Sequence, residues 1–214
     1  MQESLKKWII FLLFVVVIFG VSFYYRFELS IILGKFLILD KQTQKADVIF
    51  VPGGHPYYRL PYALKLFNEG YGNQMWCTAT AVSNTEKEFE KIFGFVANEE
   101  FIIKEVFKRI KFSNDKYKIL CGSESTFKDV ILLHKEIENK PVSSVLIVSD
   151  AYHTKRIDFC IKKIFKKNKD IKFYYTYEET EKLITNLLEK DDLPLIILQE
   201  YIKYIAYQIK YLNF

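Results

Sequence analysis

The feature that most constrains the fold is an apolar segment near the start of the chain. Residues 8–25 read WIIFLLFVVVIFGVSFYY and carry no charged side chain. Because an α-helix rises ~1.5 Å per residue, a helix over this segment is about 27 Å long, close to the ~30 Å hydrocarbon thickness of a bilayer. Lys6 and Lys7 precede it and Arg26 follows it. We therefore expect residues 1–27 to form a single membrane anchor that contacts the lipid bilayer through residues 8–25.

A cleaved signal peptide is the alternative interpretation of the same segment. Lys6 and Lys7 would then form the basic n-region, and the small residues Gly20 and Ser22 would mark a cleavage site. The anchor is favoured because the apolar run exceeds a usual h-region and bulky side chains surround the candidate site. The flanking charges leave the orientation of the anchor open, since a large following domain can be translocated regardless of its charge.

The charge distribution argues against a nucleic-acid partner. The net charge is +5, but residues 1–45 hold six Lys or Arg against three Asp or Glu, so only +2 belongs to the rest of the chain. A near-neutral domain lacks the basic surface that binds a phosphate backbone. The part of the chain from about residue 46 is long enough for one α/β domain with a full core.

Short apolar runs alternate with helical patterns from Ala46 onward. The predicted strands are residues 46–51, 73–79, 116–122, 143–148 and 170–177. The predicted helices are residues 62–69, a helix that begins near residue 86, and residues 126–138, 155–165 and 193–214. This alternation predicts an α/β fold over residues 46–214, a Rossmann-like, doubly wound and mostly parallel five-stranded sheet. Residues 28–45 are predicted as a juxtamembrane segment that is interfacial or docks on the domain.

The last helix is expected to pack on the sheet. Ile197, Tyr201, Tyr204 and Ile205 recur at helical spacing, while Lys203 and Lys210 make a second membrane span unfavourable. Docking of this helix onto the membrane surface is the minor alternative.

Polar side chains concentrate in the loops that follow the first, third and fourth strands. In an open α/β sheet, ligands bind at the carboxyl ends of the strands, where the strand order reverses. The candidates for ligand binding in these loops are Gly53, Gly54, Arg59, Ser123, Thr126, Asp129, Asp150, Tyr152 and Arg156. His55 and His153 lie in the same loops and are the candidates for acid–base catalysis, because histidine titrates near neutral pH.

These residue types point to an anionic ligand. Glycines let backbone N–H groups approach a ligand, hydroxyls at a helix start add donors, and arginine can hold a phosphate or carboxylate through two hydrogen bonds. Purely structural roles as tight turns, helix caps and surface ion pairs are the alternative. The chain has no GxGxxG, P-loop or GxSxG motif and no metal-ligand spacing, so the sequence indicates no particular cofactor and no metal.

Three cysteines, Cys77, Cys121 and Cys160, show no CxxC pattern. They are expected to be small buried hydrophobic residues. If the domain is extracytoplasmic, a disulfide between Cys77 and Cys121 is the alternative, because both lie near strand ends.

Taken together and in order, the strand-end loops resemble the SanA/YdcF-like family of bacterial domains, which includes the ElyC envelope proteins. The residues that carry the resemblance are Val48–Gly54 with Arg59, Leu66 with Gly70, Ser123 with Thr126, Tyr152-His153 with Arg156, and, less closely, Glu200 in the last helix. The chain departs from the middle motif of the family, which has Asn, Glu and Asn, at Ser125, Lys128 and Asp129.

The resemblance implies a Rossmann-like domain anchored in the bacterial inner membrane, with the domain facing outward and acting in envelope or peptidoglycan integrity. A phosphorylated metabolite or a lipid-linked phosphate is then the expected ligand. If the protein is an enzyme, it is expected to be a hydrolase or transferase. One alternative is a non-catalytic envelope scaffold or regulatory module. The other is a module that binds a nucleotide or S-adenosylmethionine, since one soluble relative in the family is linked to binding S-adenosylmethionine.

Overall fold

The computed structural model describes residues 2–96, 98–138, 140–166, 170–178, 193–212 and 214. It begins with helix α1, Gln2–Tyr24, and helix α2, Arg26–Leu37, which are separated only by Tyr25. Within α1, Lys6–Tyr24 is long and apolar enough to cross a membrane, and none of it is buried against the rest of the protein. The structure is therefore consistent with an N-terminal membrane span.

The domain is built on five parallel strands. They are β1 Ala46–Val51, β2 Gly72–Thr80, β3 Tyr117–Ser123, β4 Ser144–Val148 and β5 Lys172–Thr176. The strand order is β3-β2-β1-β4-β5, and every neighbouring pair is parallel. The order reverses between β1 and β4, so the predicted α/β, Rossmann-like, five-stranded sheet is confirmed, and in the described part of the chain it is parallel throughout.

Helices cover both faces of the sheet. They are α3 Pro56–Asn68, α4 Asn84–Phe93, α5 Glu99–Arg109, α6 Thr126–Ile137, α7 Thr154–Ile164 and α8 Leu193–Lys210. Alternate β1 side chains face opposite ways, as strand geometry requires. Phe50 joins a core with α6 and α7, and Ile49 joins a second core with α3 and α5. Burial on both faces is the reason why the strands are continuous apolar runs rather than alternating ones.

Three helix predictions need correction. Helix α3 begins at Pro56 rather than at residue 62, because proline suits the first helical turn, and Pro61 is accommodated inside it. Helix α4 begins at Asn84 rather than near residue 86, because Ser83 is its N-cap and forms a capping box with Glu86. Helix α5 was not predicted, although Asn98 caps it and its first turn is acidic.

The predictions for the cysteines and the last helix are confirmed only in part: Cys77 and Cys160 are buried as expected, but the alternative of a disulfide between Cys77 and Cys121 is wrong. All three cysteines are free, because the register of β2 and β3 sets Cys121 opposite Ala79 and Cys77 opposite Ile119. Cys121 is also exposed rather than buried. In α8, Ile205 is exposed instead of packing inward, whereas Ile197 is buried against Leu37.

Helix α2 connects the anchor to α8 and to the start of α7. The Tyr201 hydroxyl donates to the carbonyl of Leu33 at 2.8 Å, and the rings of Phe36 and Tyr201 stack at 6.0 Å. Directly after α2, the Leu39 amide donates to Oγ1 of Thr154 at 2.9 Å. The membrane-proximal helices are therefore attached beside the end of β4, where the strand order reverses.

We expect Ile147→Ala to lower the free energy of unfolding by about 2–5 kcal/mol, because Ile147 is fully buried in central strand β4 and its loss leaves a cavity. The matched change Ile92→Ala, at a residue that is 74% exposed, should be nearly neutral. Urea unfolding of the full chain in detergent micelles measures both. Equal effects of the two changes would contradict the assigned core.

Candidate functional site

A cavity of about 520 Å³ opens where the carboxyl ends of the strands meet the start of α6 and one face of α8. All eleven residues selected from the sequence line it: Gly53, Gly54, His55, Arg59, Ser123, Thr126, Asp129, Asp150, Tyr152, His153 and Arg156. The remaining lining residues are Thr80, Glu124, Ser125, Ile196, Gln199, Glu200, Lys203 and Tyr207. The structure thus brings the three loops together, while the role of each residue stays a prediction.

Arg59 is the centre of the site. It comes from α3 and is buried, and its Nη1 donates to the carbonyls of Pro52 and Gly53 at 2.8 and 2.5 Å. Its Nη2 donates to Oδ2 of Asp150 at 2.5 Å and lies 3.1 Å from Nδ1 of His153. One guanidinium therefore fixes the loop after β1 against the loop after β4.

Asp150 accepts from two partners and is ionised. Its carboxylate receives the Arg59 hydrogen bond and lies 3.0 Å from Nδ1 of His55. Although burial opposes ionisation, the hydrogen bond from His55 and the charge of Arg59 outweigh it and hold the pKa of Asp150 well below its ordinary value. An ionised carboxylate can only accept, so neutral His55 must donate through Nδ1.

His55 consequently presents its other nitrogen. With the proton on Nδ1, the Nε2 atom carries a lone pair, and the His55 side chain is 54% exposed at the cavity. A carboxylate that orients a histidine through Nδ1 is the arrangement that prepares Nε2 to act as a general base. Of the two candidate histidines, His55 has the geometry for proton transfer to a ligand.

His153 is in a different state. It is 4% exposed, and its Nδ1 faces the Arg59 guanidinium, which cannot accept a hydrogen bond, so Nδ1 must be the acceptor. Burial and the charges of Arg156 and Arg59 hold the pKa of His153 well below its ordinary value. The ring is therefore neutral, with its proton on Nε2, and that proton is donated to Oγ1 of Thr126 at 3.1 Å. This tautomer cannot activate Thr126 as a nucleophile.

Thr126 and Arg156 form the second half of the site. The Thr126 hydroxyl accepts from Nε2 of His153 and from Nη1 of Arg156, which engages both of its lone pairs. Its own hydrogen can then be donated into the cavity. Arg156 binds Glu200 of α8 through Nε and Nη2, each at 3.0 Å. One hydrogen on each of its η nitrogens is not used by these contacts among the described residues.

The loop after β1 that contains Gly53 and Gly54, here called the glycine loop, differs from the sequence-based interpretation because its amides bond to side chains of the protein. Gly53 donates its amide to Oγ1 of Thr78 at 2.7 Å, and Gly54 donates its amide to Oε1 of Glu99 at 2.7 Å. Oε2 of Glu99 also accepts from the amide of Thr80 at 2.9 Å. A carboxylate of the protein thus occupies the place that we expected for a ligand anion, so binding through these two glycine amides is not supported.

Asp129 and Ser123 lie in the cavity wall near the first turn of α6. The Ser123 hydroxyl donates to the carbonyl of Ser125 at 3.2 Å. Asp129 is 4% exposed, and its Oδ1 has no hydrogen-bond partner among the residues that the structure describes. Burial raises the pKa of Asp129 above its ordinary value, although the hydroxyls of Thr78 and Ser123 act in the opposite direction. Asp129 therefore favours the protonated form more than an exposed aspartate does.

Several important residues were missed from the sequence. Glu99 lies on the unpredicted helix α5, and the signal for it was its place in the acidic first turn after Asn98. Ser149, whose hydroxyl lies 3.1 Å from Nδ1 of His153, follows β4 directly and was visible as a strand-end residue. Tyr152 was predicted as a ligand residue and lines the cavity, but it also packs against Leu37.

Comparison with known proteins adds no identification. No model of a known protein family matches the chain, and no curated protein sequence matches it. Among the residues that the structure describes, no three His, Cys, Asp or Glu side chains are grouped to hold a metal ion. The functional interpretation therefore depends on the geometry of the cavity.

We expect His153 to remain neutral, with its proton on Nε2, below the ordinary histidine pKa of about 6.5. Long-range ¹H–¹⁵N correlation spectra of the full chain in micelles distinguish the tautomers, and His153→Asn and His134→Asn assign the signals. A protonated ring at that pH, or a proton on Nδ1, would show that Arg59 does not set the state of His153.

We expect Asp150→Asn to lower the free energy of unfolding by about 3 kcal/mol near neutral pH, because it leaves the buried Arg59 charge without its carboxylate. The depressed pKa of Asp150 means that its stabilisation is complete above about pH 3.9 and is lost as the pH falls toward the folded-state pKa. The variant should therefore lose less stability than the parent on acidification.

Urea unfolding at a series of pH values measures this difference. Asp40→Asn, at an exposed aspartate, is the matched control and should change neither the stability nor its dependence on pH. If the free energy of unfolding of Asp150→Asn falls with decreasing pH as much as that of the parent, the assigned ion pair is contradicted.

Proposed function

We propose that the protein is a single-pass, membrane-anchored enzyme of the bacterial cell envelope, related to the SanA/YdcF-like domains, which hydrolyses or transfers a phosphoryl group of a lipid-linked intermediate. The observation that carries the proposal is the geometry of His55, whose Nδ1 lies 3.0 Å from Oδ2 of Asp150 and whose half-exposed side chain lines the cavity. A partly buried aspartate fixed by Arg59 has a clear purpose if His55 must transfer protons.

Thr126, Arg156 and Lys203 also line the cavity, and this set, here called the phosphate wall, supplies donors for an anionic group. Within the described parts of the chain, Arg156 has a hydrogen on each η nitrogen that is not used, and the Thr126 hydroxyl can donate its own hydrogen. Lys203 also lines the cavity, with its ammonium half exposed and 3.4 Å from Glu200. Thr126 is the first residue of α6, and the N-terminus of a helix favours negative charge. These groups suit a phosphate better than a neutral ligand.

The proposed chemistry uses His55 as the base and the phosphate wall as the anion-binding group. His55 Nε2 accepts the proton of a water or an acceptor hydroxyl, the resulting oxygen attacks phosphorus, and the bond from phosphorus to the leaving oxygen breaks. Arg156, Lys203 and the Thr126 hydroxyl stabilise the charge on the remaining phosphoryl oxygens. Neutral His153 acts as a positioning residue, because it fixes Thr126 with its Nε2 hydrogen.

The anchor favours a substrate that is itself in the membrane. Helix α2 continues from α1 and packs on α8, and α8 forms part of the cavity wall through Gln199 and Glu200. The cavity is therefore attached closely to the membrane segment. A phosphorylated carrier lipid would be within reach of such a site, whereas an enzyme for soluble metabolites would not need this attachment.

A non-catalytic scaffold or regulatory module is the second candidate. It is favoured by the pairing of the two buried arginines inside the protein, Arg59 with Asp150 and Arg156 with Glu200. Such pairing can serve to fix the loops without any reaction. A module that binds a nucleotide or S-adenosylmethionine is less favoured, because Thr78 and Glu99 already occupy the amides of the glycine loop.

We expect His55→Asn to lower kcat by roughly 10²–10⁴-fold with little change in KM, because it removes a general base without removing an anion contact. The assay uses the full chain in micelles with a polyprenyl diphosphate, and measures released phosphate and the products by mass spectrometry. His134→Asn is the matched control and should leave turnover unchanged, since His134 does not line the cavity.

Lys203→Met should instead raise KM by about tenfold, because it removes one cation from the phosphate wall. If the parent binds the diphosphate and releases no product, and His55→Asn leaves envelope function intact in cells, the scaffold is the better interpretation. If the parent does not bind the diphosphate at all, the assignment of a phosphate wall is wrong.

A further inference from the structure

Helix α8 presents an apolar stripe that nothing in the described structure covers. The side chains in it are each more than half exposed, and they are Leu195, Leu198, Ile202, Ile205 and Ile209, with exposed Leu212 just after the helix. The spacing alternates between three and four residues, so the five helical side chains occupy about 80° of the helix surface. A contiguous apolar surface of this kind is unusual for a protein that is surrounded by water.

The three faces of α8 have different surroundings. Ile197 and Tyr201 face the protein, and Gln199 with Lys203 faces the cavity. The stripe, centred near Ile202, is the third face. Because one short helix carries the apolar stripe and a wall of the site, whatever covers the stripe also determines where the cavity is held.

The helix that carries the stripe packs on the membrane-proximal helix α2. Phe36 of α2 is exposed, and its ring lies 6.0 Å from that of Tyr201 and 6.5 Å from that of Tyr204. Ile32 and Leu33 of α2 are exposed as well. Since α2 follows directly from the span over residues 6–24 and packs on α8 through Tyr201, the stripe lies on a helix that is held beside the end of the anchor.

Basic side chains border this surface. The ammonium of Lys155 lies 4.4 Å from the centre of the Phe36 ring, and the ammonium of Lys163 donates to the carbonyl of Leu212 at 3.1 Å. Lys35 is exposed on α2, and the nearest acidic residue along that helix, Glu28, lies in its first turn. An apolar face with a basic border matches the boundary between anionic headgroups and acyl chains.

We propose that α8 and the exposed side of α2 form a docking face that lies in the surface of the same bilayer that α1 spans. The membrane is favoured over a second copy of the chain because α8 packs on the helix that follows directly from the span and because basic side chains border the apolar surface. Docking would hold the cavity at the level of the lipid headgroups. The consequence, that a lipid-linked phosphate can reach the site, rests on the proposed function, whereas the docking itself does not.

The test measures the depth of individual α8 residues in the full chain. A single cysteine is introduced in a Cys121→Ser background, where Cys77 and Cys160 are buried, and it is labelled with a nitroxide. The positions are Leu198→Cys, Ile202→Cys and Ile205→Cys on the stripe, with Gln199→Cys on the cavity face and Ile92→Cys on α4 as exposed controls. The protein is reconstituted in phosphatidylcholine vesicles with and without phosphatidylglycerol.

Stripe labels should collide several-fold more often with dissolved oxygen, relative to a water-soluble nickel chelate, than the labels at residues 199 and 92. The difference should increase when phosphatidylglycerol is present. Equal accessibility of stripe and control labels to the nickel chelate would overturn the proposal. Stripe labels shielded from both reagents, with spin–spin coupling between chains, would assign the surface to a second copy and would also overturn it.

Turnover measurements distinguish a failure of the docking face from a failure of the proposed function. Leu198→Glu with Ile205→Glu should reduce turnover of a polyprenyl diphosphate in vesicles several-fold and leave turnover of a short, water-soluble diphosphate unchanged. If both substrates are turned over normally and the labels are water-exposed, the docking face is wrong while the catalytic assignment stands. If His55→Asn has no effect while the stripe labels lie in lipid, the catalytic assignment is wrong and the docking face stands.

Discussion

The site depends on a buried arginine that is held by partners from two loops. Arg59 reaches the carbonyls of Pro52 and Gly53, the carboxylate of Asp150 and the ring of His153. A buried guanidinium is costly unless its charge is paired, and the contacts of its two η nitrogens fix the loop after β1 against the loop after β4, while Nε has no hydrogen-bond partner among the described residues. The arrangement occupies the point where the strand order reverses, which is where a parallel sheet leaves a crevice for a ligand.

The two histidines receive opposite states from the same arginine. Arg59 fixes Asp150, whose carboxylate lies against Nδ1 of His55 and so favours the tautomer with its proton on Nδ1. Through direct contact, it makes Nδ1 of His153 an acceptor and places the proton on Nε2, toward Thr126. Hydrogen bonds then continue from Thr126 to Arg156 and Glu200. A base and an anion-binding wall are thus parts of one continuous network, which ends on the helix that packs against the membrane-proximal segment.

The fold and the members of the site could be predicted from the sequence, but their states could not. Continuous apolar strands and the polar loops behind them determine a parallel sheet with a crevice, and that was sufficient to select Arg59, Ser123 and His153 as neighbours. Which histidine is exposed depends on side-chain packing across loops far apart in the chain. Glu99 was missed because its helix was missed, and only the fold shows that this carboxylate fills the glycine loop.

The central claim is that Arg59 and Asp150 act as one unit, and a double-mutant cycle tests it most directly. The free energy of unfolding would be measured by urea denaturation for the parent, Arg59→Met, Asp150→Asn and the double variant. The account predicts that the effects are strongly non-additive, with a coupling between about 0.5 and 3 kcal/mol. Effects that add to within roughly 0.3–0.5 kcal/mol would contradict it, because two independent residues could not set the states of both histidines.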